Sequence, residues 1–255
     1  MKITQVCYRL IVVFFSIFTV NTASAAINIA LWPINQHINT DNDRSVLWLR
    51  NTGNDNADLS VRVFAWHQKN GDNILNEQND INVVPPVVGI LPADSEYIRL
   101  FTLPARRQAE EQAYRIVIDE VPRLNSPERN KVALRMRYVL PLFVAGSQTP
   151  KGYQQDGDAL PSLYPSLRWH FATQHGKRVI ALQNTGPVHA RLSDIALANK
   201  QGKTLRFLKR GLYGYILPGS TMYISLPADL TINSQQQLTA RFFDGDVKPT
   251  TIKSN

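Results

Sequence analysis

The chain has 255 residues and a formal charge of +8, a length that suits two modest domains and a charge that suits an anionic surface or an acidic partner. Its one cysteine, Cys7, lies close to the N-terminus. The rest of the chain therefore has no disulfide, thiolate nucleophile or cysteine metal ligand, and ordinary apolar cores must hold the fold.

Residues 1–25 read as a secretory signal: Lys2 and Arg9 supply positive charge, residues 10–20 are apolar, and Ala23-Ser24-Ala25 is a small-residue cleavage site. The apolar segment is too short to cross a bilayer. No small-residue box precedes Cys7, so a lipoprotein is rejected. Cleavage after Ala25 leaves 230 residues with a charge of +6, and no transmembrane segment is expected in this mature chain.

Strand signals follow. Residues 27–32 are an apolar run stopped by Pro33, and 45–50 (SVLWLR) form a strand closed by the turn Asn51-Thr52-Gly53-Asn54. In 59–67 (LSVRVFAWH), Leu59, Val61, Val63 and Ala65 alternate with Ser60, Arg62, Phe64 and Trp66. Trp66 is expected in the core. Asn70-Gly71 is a turn, and 81–84 a short strand running into Pro85-Pro86, where an X-Pro bond could be cis although most are trans. Residues 96–103 and 114–121 are further strands, with at most a turn or two of helix across 106–112. Residues 124–130 form a polar loop.

The organising stretch is 131–146, KVALRMRYVLPLFVAG. Val132, Leu134, Met136 and Tyr138 fall on one side, and Ala133, Arg135 and Arg137 on the other. From Leu140 the run is mostly apolar. The long strand ends the first domain and leads into the second, with an apolar row that faces either its own core or a partner; alternation does not choose between them.

About seven short strands without a long helix argue for an antiparallel, immunoglobulin-like sandwich over residues 26–146. Residues 147–166 read as a linker. Strands resume at 167–173, 178–183, 190–198, 205–208, 213–217, 222–226 and 237–243, giving a second β domain over 147–255 with a polar, frayed tail after Asp246. No fixed-period repeat is evident.

Chemistry-bearing motifs are missing. His37, His67, His170, His175 and His189 show no metal-ligand spacing and are expected at the surface or at strand edges. There is no nucleophile elbow, phosphate loop or dinucleotide fingerprint. Asp119 and Glu120 are adjacent and so point to opposite faces of a strand. The expectation is no catalytic residue, no metal and no cofactor. Nucleic acid fits poorly with an exported chain lacking an aromatic–basic motif. Arg99, Arg115, Arg135 and Arg137 lie on the last three strands of the first domain, where guanidinium groups could converge on a cleft and hold a carboxylate, or lie solvated or paired with Asp119 or Glu120.

The ordered set ALWPINQHI, SVLWLRNTGN, VRVFAWHQ, NVVPPVVGILPADSEYIRL, EQAYRIVIDEVP and ALRMRYVLPLFV resembles the PapD-like periplasmic chaperones of the chaperone–usher pilus pathway. It is most like the archaic branch associated with spore-coat-U-type pilins, and it covers residues 30 to about 144. The resemblance implies an all-β protein of two immunoglobulin-like β-sandwich domains in a boomerang arrangement. It implies a non-enzymatic periplasmic chaperone whose long strand completes a pilin lacking one of its own, donor-strand complementation, before delivery to an outer-membrane usher. Val132, Leu134, Met136 and Tyr138 would be the donor row. Better-known members anchor the pilin carboxylate with a first-strand arginine and a long-strand lysine. Here Asn35 and Val139 stand there, and Pro141-Leu142-Phe143 replace the arginine-bearing ending, so Arg115, helped by Arg137, is the expected anchor. Self-association of the free chain stays open. The rivals are an exported two-domain adhesin or carbohydrate-binding module, with exposed aromatics such as Tyr153, Tyr164, Tyr213 and Tyr215, and an envelope hydrolase with a histidine–carboxylate pocket.

Overall fold

A computed structural model describes residues 28–103, 106–122, 135–150, 166–227, 230, 236–243 and 248–254. The first domain contains β1 (Ile29–Trp32), β2 (Gln36–Ile38), β3 (Arg44–Asn51), β4 (Ala57–Lys69), β5 (Asp72–Asn76), β6 (Ile81–Val84), β7 (Val87–Ile90), β8 (Ser95–Thr102), β9 (Gln112–Glu120) and β10 (Arg137–Val144). The second contains β11 (Leu167–Gln174), β12 (Lys177–Asn184), β13 (Ala190–Asn199), β14 (Thr204–Ile216), β15 (Thr221–Ser225), β16 (Gln236–Arg241) and β17 (Thr250–Ser254).

In the first domain a four-stranded sheet, β1-β3-β8-β6, faces a six-stranded one, β2-β10-β9-β4-β5, with β7 also paired to β4. Period-two alternation decides what lies between them. Leu47, Leu49, Ile98 and Leu100 come from one sheet and Leu59, Val61, Ile116, Ile118 and Leu142 from the other. The second domain is one seven-stranded sheet, β14-β13-β16-β17-β11-β12-β15, wrapped around its own core of Trp169, Ile180, Leu182, Leu192, Ile216, Leu238 and Ile252. The Trp32–Pro33 and Val84–Pro85 bonds are cis.

Two expectations for the second domain change. The segments 205–208 and 213–217 are parts of one strand, β14, whose register against β13 shifts repeatedly. Gly211 and Gly214, with φ of 69° and 145°, absorb an irregularity that looks like a turn in the sequence. The tail is also not frayed. β17 pairs with both β16 and β11, and Ile252 is buried, because the core needs a strand between them.

The two domains share a device that a search for a fixed period misses. Both β3 and β12 end in Asn-Thr-Gly. The Asn51 amide donates to the carbonyls of Asp55 (2.7 Å) and Ile90 (3.0 Å), and its oxygen accepts from Gly53 N–H (2.9 Å). Asn184 donates to Val188 (2.7 Å) and Ile216 (2.9 Å) and accepts from Gly186 N–H (3.0 Å). Both asparagines are fully buried. Only an uncharged amide supplies two donors and an acceptor at such a point. Asn51→Ala or Asn184→Ala leaves buried carbonyls unpaired and should cost about 2 kcal/mol, read from denaturant midpoints. An unchanged midpoint would show these bonds to be incidental.

Candidate functional site

β10 pairs with β9 over its whole length, from Arg137↔Asp119 to Val144↔Gln112. On its other edge β2 covers only Leu142, Phe143 and Val144. From Arg137 to Pro141 that edge has no strand partner among the described residues, which leaves a row of backbone groups open to another chain. Tyr138, Leu140, Leu142 and Val144 face the first-domain core, while Met136 and Val139 are 41% and 46% exposed.

The donor row is thus divided. Tyr138 packs against its own core, and its hydroxyl accepts a hydrogen bond from Ile29 N–H at 3.4 Å, so it closes the sandwich rather than standing clear of it. Met136 is exposed. Val132 and Leu134 lie outside the described residues.

The face of the six-stranded sheet turned away from that core carries the polar groups. Its rows are Arg62, Phe64 and Trp66 on β4, Arg115, Val117 and Asp119 on β9, and Arg137, Val139 and Phe143 on β10. At one end Asp119 accepts from Arg137 (2.5 Å) and Arg62 (2.7 Å), and these bonds, the Arg137 one foremost, hold its carboxyl below the usual carboxylate range. Arg137 is therefore already occupied. Nearer the second domain, the Arg115 guanidinium lies 3.6 Å over the Trp66 ring and 5.7 Å from the Tyr215 centroid. Among the described residues it has no carboxylate partner, and burial pulls its pKa down from the arginine norm, with Tyr215 acting in the opposite sense. Its planar fork of donors has the geometry that pairs with a carboxylate. Arg99 does not join it. It stacks on Tyr97 in the other sheet, because β8 pairs with β3 and not with β9.

Trp66 is buried, but not in the sandwich core. It belongs to a cluster between the domains with Ala113, Phe143, Tyr215 and Leu217, since its parity on β4 is opposite to that of Leu59, Val61 and Val63. Gln68 ties the same junction with its side-chain amide, donating to Tyr215 O (2.8 Å) and accepting from Leu217 N–H (2.9 Å). Asn35 accepts from the Tyr215 hydroxyl at 3.3 Å. Gly146, just beyond β10, is needed because a Cβ there would lie 2.3 Å from the Glu110 carbonyl oxygen.

Two histidines expected near the surface meet here instead. A Glu111 carboxylate oxygen lies 2.9 Å from His189 N and 2.7 Å from its Nδ1, with both residues buried. The His189 ring stacks on Phe143 at 3.6 Å, and the His37 ring lies 6.2 Å from it. Burial, then the neighbouring His189, lowers the His37 pKa to about 3. No sequence spacing links these residues. His37 arrives only because β2 pairs in parallel with β10. The histidine–carboxylate pair that a hydrolase requires thus exists, and it ties the two domains together with both residues buried. Of the aromatics that an adhesin would expose, Tyr215 is buried in the junction and Tyr213 donates to Tyr223 O at 3.0 Å; Tyr153 and Tyr164 lie outside the described residues.

Two immunoglobulin-like sandwiches joined through a buried cluster, with one strand half open at its edge, make a two-domain β protein whose sheet can accept a further strand. Residues 31–150 match the family model of the pili and flagellar-assembly chaperone, PapD N-terminal domain. The chain is similar to CsuC in the CsuC–CsuE chaperone–tip adhesion subunit complex from the archaic Csu pili of Acinetobacter baumannii, with 28% identity over 89% of this chain and 99% of that one and a TM-score of 0.68. It shares its fold with the Pseudomonas aeruginosa CupB2 chaperone (18% identity, 87% and 97% covered, TM-score 0.56) and with a chain of the Salmonella enterica SafA pilin–SafB chaperone complex (15%, 91% and 98%, TM-score 0.60). A comparison with curated protein sequences gives no match. Residues 31–150 belong to this family of pilus-assembly chaperones, which is a chaperone family and not an enzyme family.

Proposed function

We propose that this pilus-assembly chaperone captures pilin subunits in the periplasm by donating β10 and the residues before it, and passes them to an outer-membrane usher without catalysis or a cofactor. Export follows from a signal cleaved after Ala25, with domains over 26–146 and 147–255. The observation that carries the reading is the unpaired edge of β10 from Arg137 to Pro141 with Met136 and Val139 exposed beside it. A pilin short of one strand has an apolar groove and free backbone groups, and strand addition satisfies both. Val132, Leu134 and Met136 are the inserted row, each worth roughly 1.5–3 kcal/mol when buried. Leu134→Asp with Met136→Asp should abolish recovery of the co-expressed pilin while leaving the chaperone folded; undiminished pilin would refute donor-strand capture.

Arg115 is the carboxylate anchor in this reading, with Arg137 in a lesser role because Asp119 holds it. Arg115→Ala should weaken the pilin complex by about tenfold to a hundredfold, the value of charge-assisted hydrogen bonds, and Arg115→Lys should not restore it. Arg137→Ala should cost less than about threefold. Pilin binding and secretion unchanged in both variants, singly and together, would rule this anchor out.

A further inference from the structure

The positive charge of this protein is not evenly spread. Residues 166–254 hold twelve Lys and Arg against four Asp and Glu, a net of +8, whereas residues 26–165 hold fourteen against sixteen, a net of −2. Lys200, Lys203, Arg206, Lys209 and Arg210 all fall on the β13–β14 hairpin, with no acidic residue between Ile195 and Ala228. All five are exposed. Among the described residues, Lys200, Lys203, Lys209 and Arg210 have no carboxylate partner. The hairpin also exposes apolar groups. β14 is the last strand of its sheet, none of the residues 204–212 is buried, and Leu205 and Leu212 are 51% and 55% exposed. Arg210 lies 3.8 Å over the Phe207 ring and Lys209 5.8 Å from that of Tyr213, so the cations sit on an aromatic base.

We propose that this hairpin binds the surface of an anionic phospholipid membrane. A polyanion needs only the cations. A membrane interface needs both parts, cations for the phosphates and leucines for the boundary of the acyl chains, and long basic side chains can span the two. β14 is the edge strand of its sheet, so its exposed side chains can meet such an interface without any rearrangement of the core. The surface is separate from the subunit-binding cleft and requires only that the chain be exported.

The test is sedimentation of the periplasmically purified chain with phosphatidylcholine vesicles, with and without phosphatidylglycerol. Wild-type protein should sediment only with the anionic vesicles and be released by high salt. The combined variant Lys200→Ser, Lys203→Ser, Lys209→Ser, Arg210→Ser should bind at least about tenfold more weakly and still capture pilin, which separates this surface from the cleft. Leu205→Ser with Leu212→Ser should bind about fivefold more weakly and carries the test if the fourfold variant does not fold. The variants share the N-terminal segment of the wild type, so its contribution cancels. Absence of wild-type protein from anionic vesicles, or equal binding by both variants, overturns the proposal. So does cross-linking of the arm to an acidic protein without vesicle binding.

Discussion

Glu111→Ala should destabilise the protein by about 4 kcal/mol, lowering the thermal midpoint by roughly 10 °C for a chain of this size. The Glu111 carboxylate leaves the first domain at the start of β9 and reaches two nitrogens of His189 in the second. Its removal leaves a buried backbone N–H and a buried ring nitrogen without an acceptor, each a desolvation cost of about 1–3 kcal/mol. The Glu111 N–H bond to Pro187 O at 2.9 Å crosses the same gap, and Phe143 is stacked on the His189 ring, so the loss reaches the packing between the domains as well. Differential scanning calorimetry should then resolve two transitions where the wild type shows one, because each domain keeps its own core. Glu111→Gln, which keeps one acceptor oxygen, should recover part of the loss. A midpoint within a degree of wild type would mean that the apolar cluster alone fixes the joint.

The second large effect is a loss of stability in acid that passes through His37. Its folded-state pKa is lowered from 6.5 to about 3 by burial and by His189, so between these values the unfolded chain takes up a proton that the folded chain refuses. Stability from this group is complete above about pH 6.5 and falls as the pH drops toward 3. Each unit is worth about 1.4 kcal/mol, so the total is of order 5 kcal/mol. His37→Phe keeps a ring against Phe143, where the histidine now stacks at 5.7 Å, and removes a buried nitrogen with no hydrogen-bond partner. The variant should therefore lose about one proton from the pH dependence of its unfolding free energy between pH 6 and 4. Parallel urea titrations of both proteins test this, and identical slopes would place the acid sensitivity elsewhere.

Both effects arise at a joint that the sequence conceals. His37 and His189 are far apart in the chain and neither sits in a motif. Their meeting depends on β2 leaving the four-stranded layer to pair in parallel with the end of β10. The parity of β4 was readable from Leu59, Val61 and Val63 against Arg62, Phe64 and Trp66, but not which side held the second domain. Trp66 was for that reason expected in the wrong core. Arg115 could be named from its strand and its charge. That it, rather than Arg137, keeps an unsatisfied fork follows from Asp119, which Arg62 and Arg137 share.

Local chemistry in the sequence was enough for the all-β class, most strand positions, the turns at Asn51-Thr52-Gly53 and Asn184-Thr185-Gly186, and a strand ending just before Gly146, which begins at Arg137 among the described residues. These follow from side-chain alternation and backbone preference, which act between near neighbours. Only the tertiary structure decided which edge of β10 stays open, which arginines Asp119 holds, that Tyr138 closes its own core, and that the last strand is β17. Each of these depends on which distant strand becomes a neighbour. Strand pairing is a long-range outcome of burying two cores at once, and no stretch of sequence contains it.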